Sequence, residues 1–306
     1  MLTPLSAFAT PLSGDTLFGQ LCWTLREDSG EAKLTDVLEG YLEQRPFAVV
    51  SDAMPAHCFP RPHLPGSYLG QTNNHLERKK WKNIQWIAES AFNQPIKNWL
   101  AKGSNDTVVQ QKKQQHMHNT INRLTGTTGQ EGFAPYTVEE SWYADNQILQ
   151  VYIILDETQI DIDLLRVLMK RIGDFGFGKD ASTGLGKFRI NSCEKCQLPH
   201  QKNTNAWLTL APCAPQDLGY DGENSYWQPI TRYGRHGNIG ALNNPFKKPI
   251  LLASTGSVFS TQTLTTPFAG QGLGGSGKIS KTIPETVQQG YAPVLGICLP
   301  SIKNKV

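Results

Sequence analysis

GDFGFGKDASTGLGKFR, residues 173–189, is the stretch that decides the fold, because its five glycines suit neither a helix nor a strand. Residues 161–172 before it carry leucine and isoleucine at helical spacing, with Asp161 or Asp163 as the N-cap. Residues 186–191 after it predict a short strand. The order is therefore helix, glycine loop, strand.

The loop mixes its glycines with Lys179, Ser182, Thr183 and Lys187. Glycine lets backbone amides turn toward an anion, and lysine supplies a point charge for phosphate. This composition favours binding to a nucleic-acid backbone. A flexible glycine turn with solvated lysines is the plain structural alternative.

A nucleotide-triphosphate loop is a second alternative for the same segment. Residues 173–179 fit G-x-x-x-x-G-K, but Asp180 stands where the Mg²⁺-binding Ser or Thr belongs. A P-loop also needs the order strand, loop, helix, so that the helix N-terminus faces the phosphate. Both departures argue against nucleotide hydrolysis.

Charge is distributed unevenly along the 306 residues, although the overall net charge is only +3. Residues 1–60 carry a net charge of −5, 61–124 of +7, 125–172 of −5 and 173–306 of +6. Two basic segments alternating with two acidic ones indicate local contacts with a polyanion. Uneven surface charge without function is the alternative.

The cysteine and hydropathy patterns set the expected compartment. No run of eighteen apolar residues occurs, and the N-terminus lacks a signal-peptide pattern, so we expect a cytoplasmic protein. Six cysteines in a chain of this size suit a reducing compartment. Cys193, Cys196, His200 and Cys213 could supply four zinc ligands, but a single CxxC is a weak signal, and no metal or cofactor is predicted.

The first part of the chain predicts alternating strands and helices. Strands are expected at residues 2–8, 47–52 and 147–155, and helices at 13–26 and 34–42. The proline-rich passage at 54–65 is expected to hold no regular structure. Residues 61–135 are basic and weakly patterned, and predict a partly helical insertion that is mobile near 102–115. The element order suits a ferredoxin-like sheet.

The second part, from about residue 201, predicts strands at 206–210, 250–259 and 291–299. Gly272, Gly274 and Gly277 fit G-x-G-x-x-G, but no strand–helix–strand unit surrounds them. The sequence favours a disordered or ligand-contacting loop there.

Several segments together resemble RAMP-superfamily CRISPR proteins. They are SGDTLFGQLCW (13–23), FPRPHLP (59–65), HNTINRLTGTTGQEGFAPY (118–136), the glycine loop GFGKDASTGLGKF (176–188), GSVF (256–259) and VQQGYAP (287–293). In this order the set is most similar to the family of fourth subunits of type III-A Csm effector complexes, the Cas-five group. A first strand of only about seven residues is the one departure.

The resemblance implies an α+β chain of two ferredoxin-like (RRM-like) RAMP domains. Residues 1–200 would form the first, with the insertion at about 61–135 and the glycine loop at 173–188, and 201–306 the second. It also implies a non-catalytic subunit that binds the 5′ tag of the CRISPR RNA (crRNA). Its partners would be the large polymerase-containing subunit and a backbone RAMP subunit.

Single-stranded RNA is bound by cations, backbone amides, small polar side chains and aromatic faces. The candidate residues form four groups: His75, Arg78, Lys79 and Lys80; His118, Asn119 and Arg123; Gly176, Gly178, Lys179, Ser182, Thr183, Gly184, Gly186, Lys187 and Phe188; and Arg232, Tyr233, Arg235 and His236.

Each basic group also has a structural alternative. Residues 78–80 could be a solvated helix face, Arg123 could pair with Glu139 or Glu140, and residues 232–236 could be a surface loop.

A metal-independent endoribonuclease that processes CRISPR repeat RNA is the alternative function. It would need a general base near the 2′-hydroxyl and a cation beside the phosphorane. His116 or His118, with Lys112 or Lys113, could supply them.

Overall fold

The computed structural model describes residues 1–71, 79, 81–102, 111–129, 133–216, 219–236, 244–261 and 266–300. The described helices are α1 (Gly14–Ser29), α2 (Glu31–Leu38), α3 (Glu89–Phe92), α4 (Trp99–Lys102) and α5 (Ile162–Phe175), with 3₁₀ turns at Tyr41–Glu43, Ile96–Asn98 and Ala181–Thr183.

The described strands are β1 (Leu2–Pro4), β2 (Ala48–Val50), β3 (Met54–Pro55), β4 (Cys58–Pro60), β5 (Trp86–Ala88), β6 (Gln111–His118), β7 (Tyr136–Tyr143), β8 (Leu149–Gln150), β9 (Ile153–Leu155), β10 (Phe188–Ile190), β11 (Ala206–Thr209), β12 (Asp221–Tyr226), β13 (Pro229–Arg232), β14 (Ile250–Ala253), β15 (Val258–Ser260), β16 (Phe268–Gly270), β17 (Leu273–Gly274), β18 (Val287–Gln288) and β19 (Tyr291–Ile297).

The first sheet has the strand order of a ferredoxin-like fold. β1 lies antiparallel between β10 and β8, and β8 pairs with β3. β2 pairs with β9 one step further along the same two chain segments. Taking β2 with β3 and β8 with β9 as interrupted single strands, the order is fourth, first, third, second. α1 and α5 are the two connections of this split β-α-β arrangement.

The two long helices form where the apolar spacing predicts them. α1 buries Leu17, Phe18, Leu21 and Leu25, and α5 buries Leu165, Leu168, Met169 and Ile172. The Asp161 carboxylate accepts a hydrogen bond from the Leu164 amide at 2.7 Å, so Asp161 rather than Asp163 is the N-cap. α5 continues three residues beyond its predicted end, to Phe175.

Several predicted elements are shorter or interrupted. The first strand ends at Pro4 rather than residue 8, the strand predicted at 147–155 is broken at Val151 and Tyr152, and that at 250–259 is broken at residues 254–257. The second helix begins earlier than predicted, at Glu31, and ends at Leu38.

The proline-rich passage does contain regular structure, so that prediction is wrong. β3 and β4 end at Pro55 and Pro60, where each strand pairs with a partner strand. A proline at the end of a short strand is tolerated because only one ladder donor is lost.

Residues 72–78, 80, 103–110 and 130–132 of the segment 61–135 lie outside the described residues, and the described residues on both sides of 103–110 contain regular structure. Before them, Phe59, Leu69, Phe92 and Trp99 pack in one buried cluster with residues of β11 and β19. After them, residues 111–115 belong to β6, which pairs in continuous register with β7. Residues 111–115 of the stretch predicted to be mobile are therefore strand residues. Their partners, residues 139–143, lie more than twenty residues away in sequence, so the local pattern does not reveal the pairing.

The second half forms an antiparallel sheet in the order β12-β15-β11-β19-β16. Every residue of strand β19, which lies between β11 and β16, is buried. No helix occurs in residues 185–216, 219–236, 244–261 or 266–300, so a second ferredoxin-like domain stays a prediction. The G-x-G-x-x-G segment is not a free loop in its first part, because β17 pairs with β18.

Buried side chains pack across the expected domain boundary. Tyr291 lies in one cluster with Phe18, Tyr41 and Phe47, and its hydroxyl donates to the Tyr41 carbonyl at 2.6 Å. In the described part of the chain, no helix is both long and apolar enough to cross a membrane.

Candidate nucleic-acid interface

The glycine loop between α5 and β10 is a folded element rather than a flexible turn. Phe177 is fully buried, and its amide donates to the Gly186 carbonyl at 2.9 Å. The Gly186 amide donates in turn to the Ala7 carbonyl at 2.7 Å. The loop is therefore attached to the chain that follows β1.

Two glycines are required because neighbouring atoms leave no room for a side chain. Gly186 has φ +74°, and a Cβ there would overlap the Phe177 backbone. Gly178 has φ +78°, and its Cβ would lie 2.5 Å from the Thr10 Cβ. Both positions combine the left-handed region with a lack of space, so only glycine fits.

Most backbone amides of the loop donate hydrogen bonds within the protein, so few of them are left to bind an anion. The amides of Gly178, Lys179 and Lys187 donate to side-chain oxygens of Gln20, Thr10 and Ser6, respectively, at 2.9–3.2 Å. In the described chain, the amides of Asp180, Ala181 and Ser182 donate to no protein acceptor. The donors that the loop could offer to an anion are thus these three amides and the side chains, not the glycine backbone as a whole.

The polar side chains of the loop face solvent. Lys179, Ser182, Thr183 and Lys187 are exposed, and Lys187 forms no ion pair with a described acid. The Lys179 ammonium lies 3.8 Å from the Asp180 carboxylate, a loose pair that leaves the lysine accessible. Gly176 is buried, and Gly184 is half-buried with open space around it.

Phe188 does not belong to this surface, and its predicted role in RNA binding is wrong. Its side chain is only 1% exposed, and the aromatic ring packs against Gly173 in the first core. A base could not reach the face of this ring.

Residues 5–10 join the loop to the hairpin of β6 and β7. On one side they form the hydrogen bonds with the glycine loop that are described above. On the other side, Phe8 and Ser141 exchange two backbone hydrogen bonds of 3.0 and 2.9 Å. The Phe8 ring meets Tyr143 edge to face, with 5.8 Å between centroids. The structure therefore brings the glycine loop and the base of the hairpin to one side of the first sheet.

The hairpin presents cations and aromatic surface beyond this base. His118 stacks on Tyr136 with 5.4 Å between ring centroids and 15° between planes. Asn119 and Arg123 are exposed near the tip. Glu139 pairs with Lys113 at 2.8 Å, and Glu140 lies 3.7 Å from His116. The alternative in which Arg123 pairs with either acid is therefore wrong, and Arg123 remains accessible.

The apolar side chains at the hairpin tip are a feature that the sequence pattern does not indicate. Met117, Ile121 and Leu124 are 79%, 57% and 97% exposed. The signal for the hairpin is a pair of segments, each eight residues long, on either side of a glycine-containing connection.

The candidate residues at 232–236 differ in their accessibility to solvent. Arg232 belongs to strand β13, and its Nε lies 2.9 Å from the carboxylate of the buried Asp15. His236 is buried with Nε2 2.7 Å from the Ser280 hydroxyl, and burial lowers the pKa of His236. Only Tyr233 and Arg235 are exposed, with the Arg235 guanidinium 5.0 Å above the Phe246 ring.

The ion pair of Arg232 with Asp15 belongs to a buried polar network at the start of α1. The Asp52 carboxylate accepts hydrogen bonds from the Gly14 amide at 2.7 Å and from the Thr255 hydroxyl. Burial raises the pKa of Asp52 to about 6. The network connects both halves of the chain, so Arg232 has a structural role that competes with RNA contact.

The remaining candidates are the basic group at residues 75–80 and the four possible zinc ligands. Lys79 is exposed, whereas His75, Arg78 and Lys80 lie outside the described residues. The four possible zinc ligands do not converge: Cys213 is fully buried, His200 Nδ1 accepts from the Gly296 amide at 2.8 Å, and no cluster of three metal-binding side chains occurs among the described residues.

No protein-family model matches the chain, and no curated protein matches it. Solved structures match it in fold. A chain of a Csm1–Csm4 cassette in complex with AMPPNP superposes with a TM-score of 0.62 at 14% identity, covering 98% of this chain and 97% of that chain. The same cassette with pppApA gives a TM-score of 0.61 at 15% identity, covering 98% and 96%.

A chain of a Csm3–Csm4 subcomplex of the type III-A CRISPR–Cas interference complex also matches. Its TM-score is 0.52 at 17% identity, and the match covers 94% of this chain and 97% of that chain. These likenesses establish the fold over nearly the whole chain, in agreement with the resemblance in the sequence.

Proposed function

We propose that this chain is the Csm4-type RAMP subunit of a cytoplasmic type III-A effector, where it binds the 5′ tag of the crRNA without cleaving it. The observation that carries the proposal is the match over nearly the full length to chains from two different assemblies. Csm4 is the component that the two assemblies have in common. We further propose two ferredoxin-like RAMP domains, the first with the basic insertion.

The same comparison supports the proposed partners. One matched assembly pairs Csm4 with Csm1, and the other pairs it with Csm3. We infer that this chain binds a large subunit of the Csm1 type, which it anchors, and a backbone subunit of the Csm3 type. A subunit between two such partners would hold one end of the guide RNA.

The surface formed by the loop and the hairpin supports RNA binding. Lys179, Lys187 and Arg123 supply cations, Ser182 and Thr183 supply hydroxyl groups, and the Tyr136–His118 stack supplies an aromatic face. This mixture is typical of proteins that bind single-stranded RNA through its backbone and unstacked bases.

Reconstitution tests the proposal directly. The chain would be co-expressed with its Csm1-type and Csm3-type partners and a repeat–spacer transcript, purified through a tag on this chain, and the 5′ ends of the bound RNA sequenced. We expect both partners and a single repeat-derived 5′ end. Purification of this chain without RNA and without partners would contradict the proposal.

The endoribonuclease alternative has its own test. His116 and His118 lie on one face of the hairpin, next to Glu140 and Tyr136. Incubation of the purified chain with repeat RNA in EDTA should leave the RNA intact. Cleavage at one site, lost in His118→Ala, would replace the binding function by a catalytic one.

A further inference from the structure

A cleft of about 770 Å³ lies between the two halves of the chain. Its walls come from residues 60–65, 82–86 and 225–228, and the half-buried Asp52 and Thr255 also line it. None of these residues belongs to the surface of the glycine loop and the hairpin. The volume is within the usual range for small-molecule and nucleotide sites.

Hydrogen bonds connect the segments that form the walls of the cleft. The Arg61 guanidinium donates to the carbonyls of Trp81 and Ile84 at 2.6 and 3.3 Å. The His63 amide donates to the Gly256 carbonyl at 2.8 Å, and its ring Nε2 lies 2.9 Å from the Ser254 hydroxyl. These contacts join residues 60–65 to residues 81–84 and to residues 254–256. This part of the cleft is therefore preformed.

The wall formed by residues 225–228 is fixed by an aromatic contact and by hydrogen bonds. Tyr226 meets Tyr68 edge to face at 5.5 Å, and their hydroxyl oxygens lie 3.1 Å apart. The Ser254 amide donates to the Gln228 carbonyl at 2.9 Å. Trp227, between these two anchored residues, is left 40% exposed.

The chemistry of the cleft combines aromatic surface with positive charge. Trp86, Tyr226 and Trp227 line it, together with the exposed Lys82, which forms no ion pair with a described acid. The one lining acid is Asp52, whose carboxylate already accepts the Gly14 amide and the Thr255 hydroxyl. Aromatic faces beside a free ammonium are typical of sites for unpaired nucleotides.

We propose that this cleft binds one unpaired nucleotide of a single-stranded RNA, with the base against Trp227 and the adjacent phosphate at Lys82. The proposal rests on the proposed RNA-binding function, but it concerns a site separate from the loop and the hairpin. It extends the RNA path from the first sheet to the junction of the two halves.

The test uses the purified full chain and a fluorescein-labelled eight-nucleotide single-stranded RNA, with binding followed by anisotropy at several salt concentrations. Trp227→Leu should weaken binding about tenfold without changing the salt dependence, because stacking is lost and no charge is removed. Lys82→Ala should lower the slope of log K against log salt by about one. Trp227→Phe, which keeps an aromatic face, should retain most of the affinity.

Trp23→Leu is the matched control, because Trp23 lies on α1 and lines neither surface. Equal affinity of the wild type, Trp227→Leu and Lys82→Ala, with weaker binding only for Lys179→Ala/Lys187→Ala, would overturn the cleft and leave the proposed function intact. No RNA binding by any form of the chain would contradict the proposed function itself. If Trp227→Leu keeps its RNA affinity but loses a partner subunit in the co-expression and purification described above, the cleft is a protein interface instead.

Discussion

At the scale of single residues, Lys179 and Lys187 are the exposed cations of the glycine loop. In Lys179→Ala/Lys187→Ala we expect weaker crRNA retention and a salt slope lower by about two, since each lysine that contacts a phosphate releases about one counterion. Both side chains are solvent-exposed, so the free energy of unfolding should not change. Filter binding over a salt series and thermal unfolding would measure the two effects.

Lys33→Ala/Lys195→Ala is the control for the lysine variant, because it removes the same charge. These lysines contact Gln159 and Glu157, before the start of α5, whereas the glycine loop follows its end. The fourteen residues of α5 separate the two ends by about 21 Å. Equal RNA occupancy in both double variants would refute the role of the loop lysines.

Gly186 tests whether the loop is a folded element. In Gly186→Ala, the methyl group meets the Phe177 backbone at a positive φ, so we expect the free energy of unfolding to fall by about 3 kcal/mol. Gly184→Ala also has a positive φ, but nothing lies within 4 Å, so about 1 kcal/mol is expected. Urea unfolding of both variants gives the comparison; equal losses would show that close backbone approach does not matter.

At the scale of elements, shortening the β6–β7 hairpin should lower RNA affinity while changing the stability of the fold only slightly. Gln115 and Glu139 are paired across the hairpin, so an Asn-Gly turn can replace residues 116–138. Among the described residues removed, Val138 alone is buried, and we expect a stability loss below about 2 kcal/mol. RNA affinity should fall because His118, Asn119 and Arg123 are lost.

The measurement for the shortened hairpin is anisotropy with tag RNA, next to the single variant Arg123→Ala. The single variant should lower the salt slope by about one, and the shortened hairpin should weaken binding further by removing the Tyr136–His118 stack. An unchanged affinity in the shortened chain would exclude the hairpin from the RNA interface.

At the scale of the whole molecule, Asp52 connects stability to pH. Burial raises its pKa from 3.8 to about 6, so the folded chain binds this proton more tightly than the unfolded chain does. The contribution of Asp52 to stability therefore falls as the pH rises from about 4 to 6, by up to about 3 kcal/mol, and is constant above.

Asp52→Asn isolates that contribution. The amide oxygen can still accept from the Gly14 amide, while the titration is removed. The stability of the variant relative to the wild type should rise between pH 4 and 6 in urea unfolding experiments, and groups common to both proteins cancel in the difference. Parallel pH profiles would show that Asp52 titrates normally in the folded chain.

The sequence by itself determined the two long helices, the order of helix, glycine loop and strand, and the exposed lysines of the loop. These depend on local spacing, capping and glycine content, which a short window contains. The resemblance of the segments around the loop likewise anticipated the fold that the solved structures share.

Only the tertiary structure decided which polar residues are accessible. Arg232 is a cation like Lys187, but its side chain is paired with Asp15. Phe188 is aromatic like Tyr136, but its ring is buried against Gly173. The β6–β7 hairpin and the cleft at Trp227 likewise form from segments far apart in the chain. Burial and pairing of this kind depend on contacts between distant residues, which local pattern does not encode.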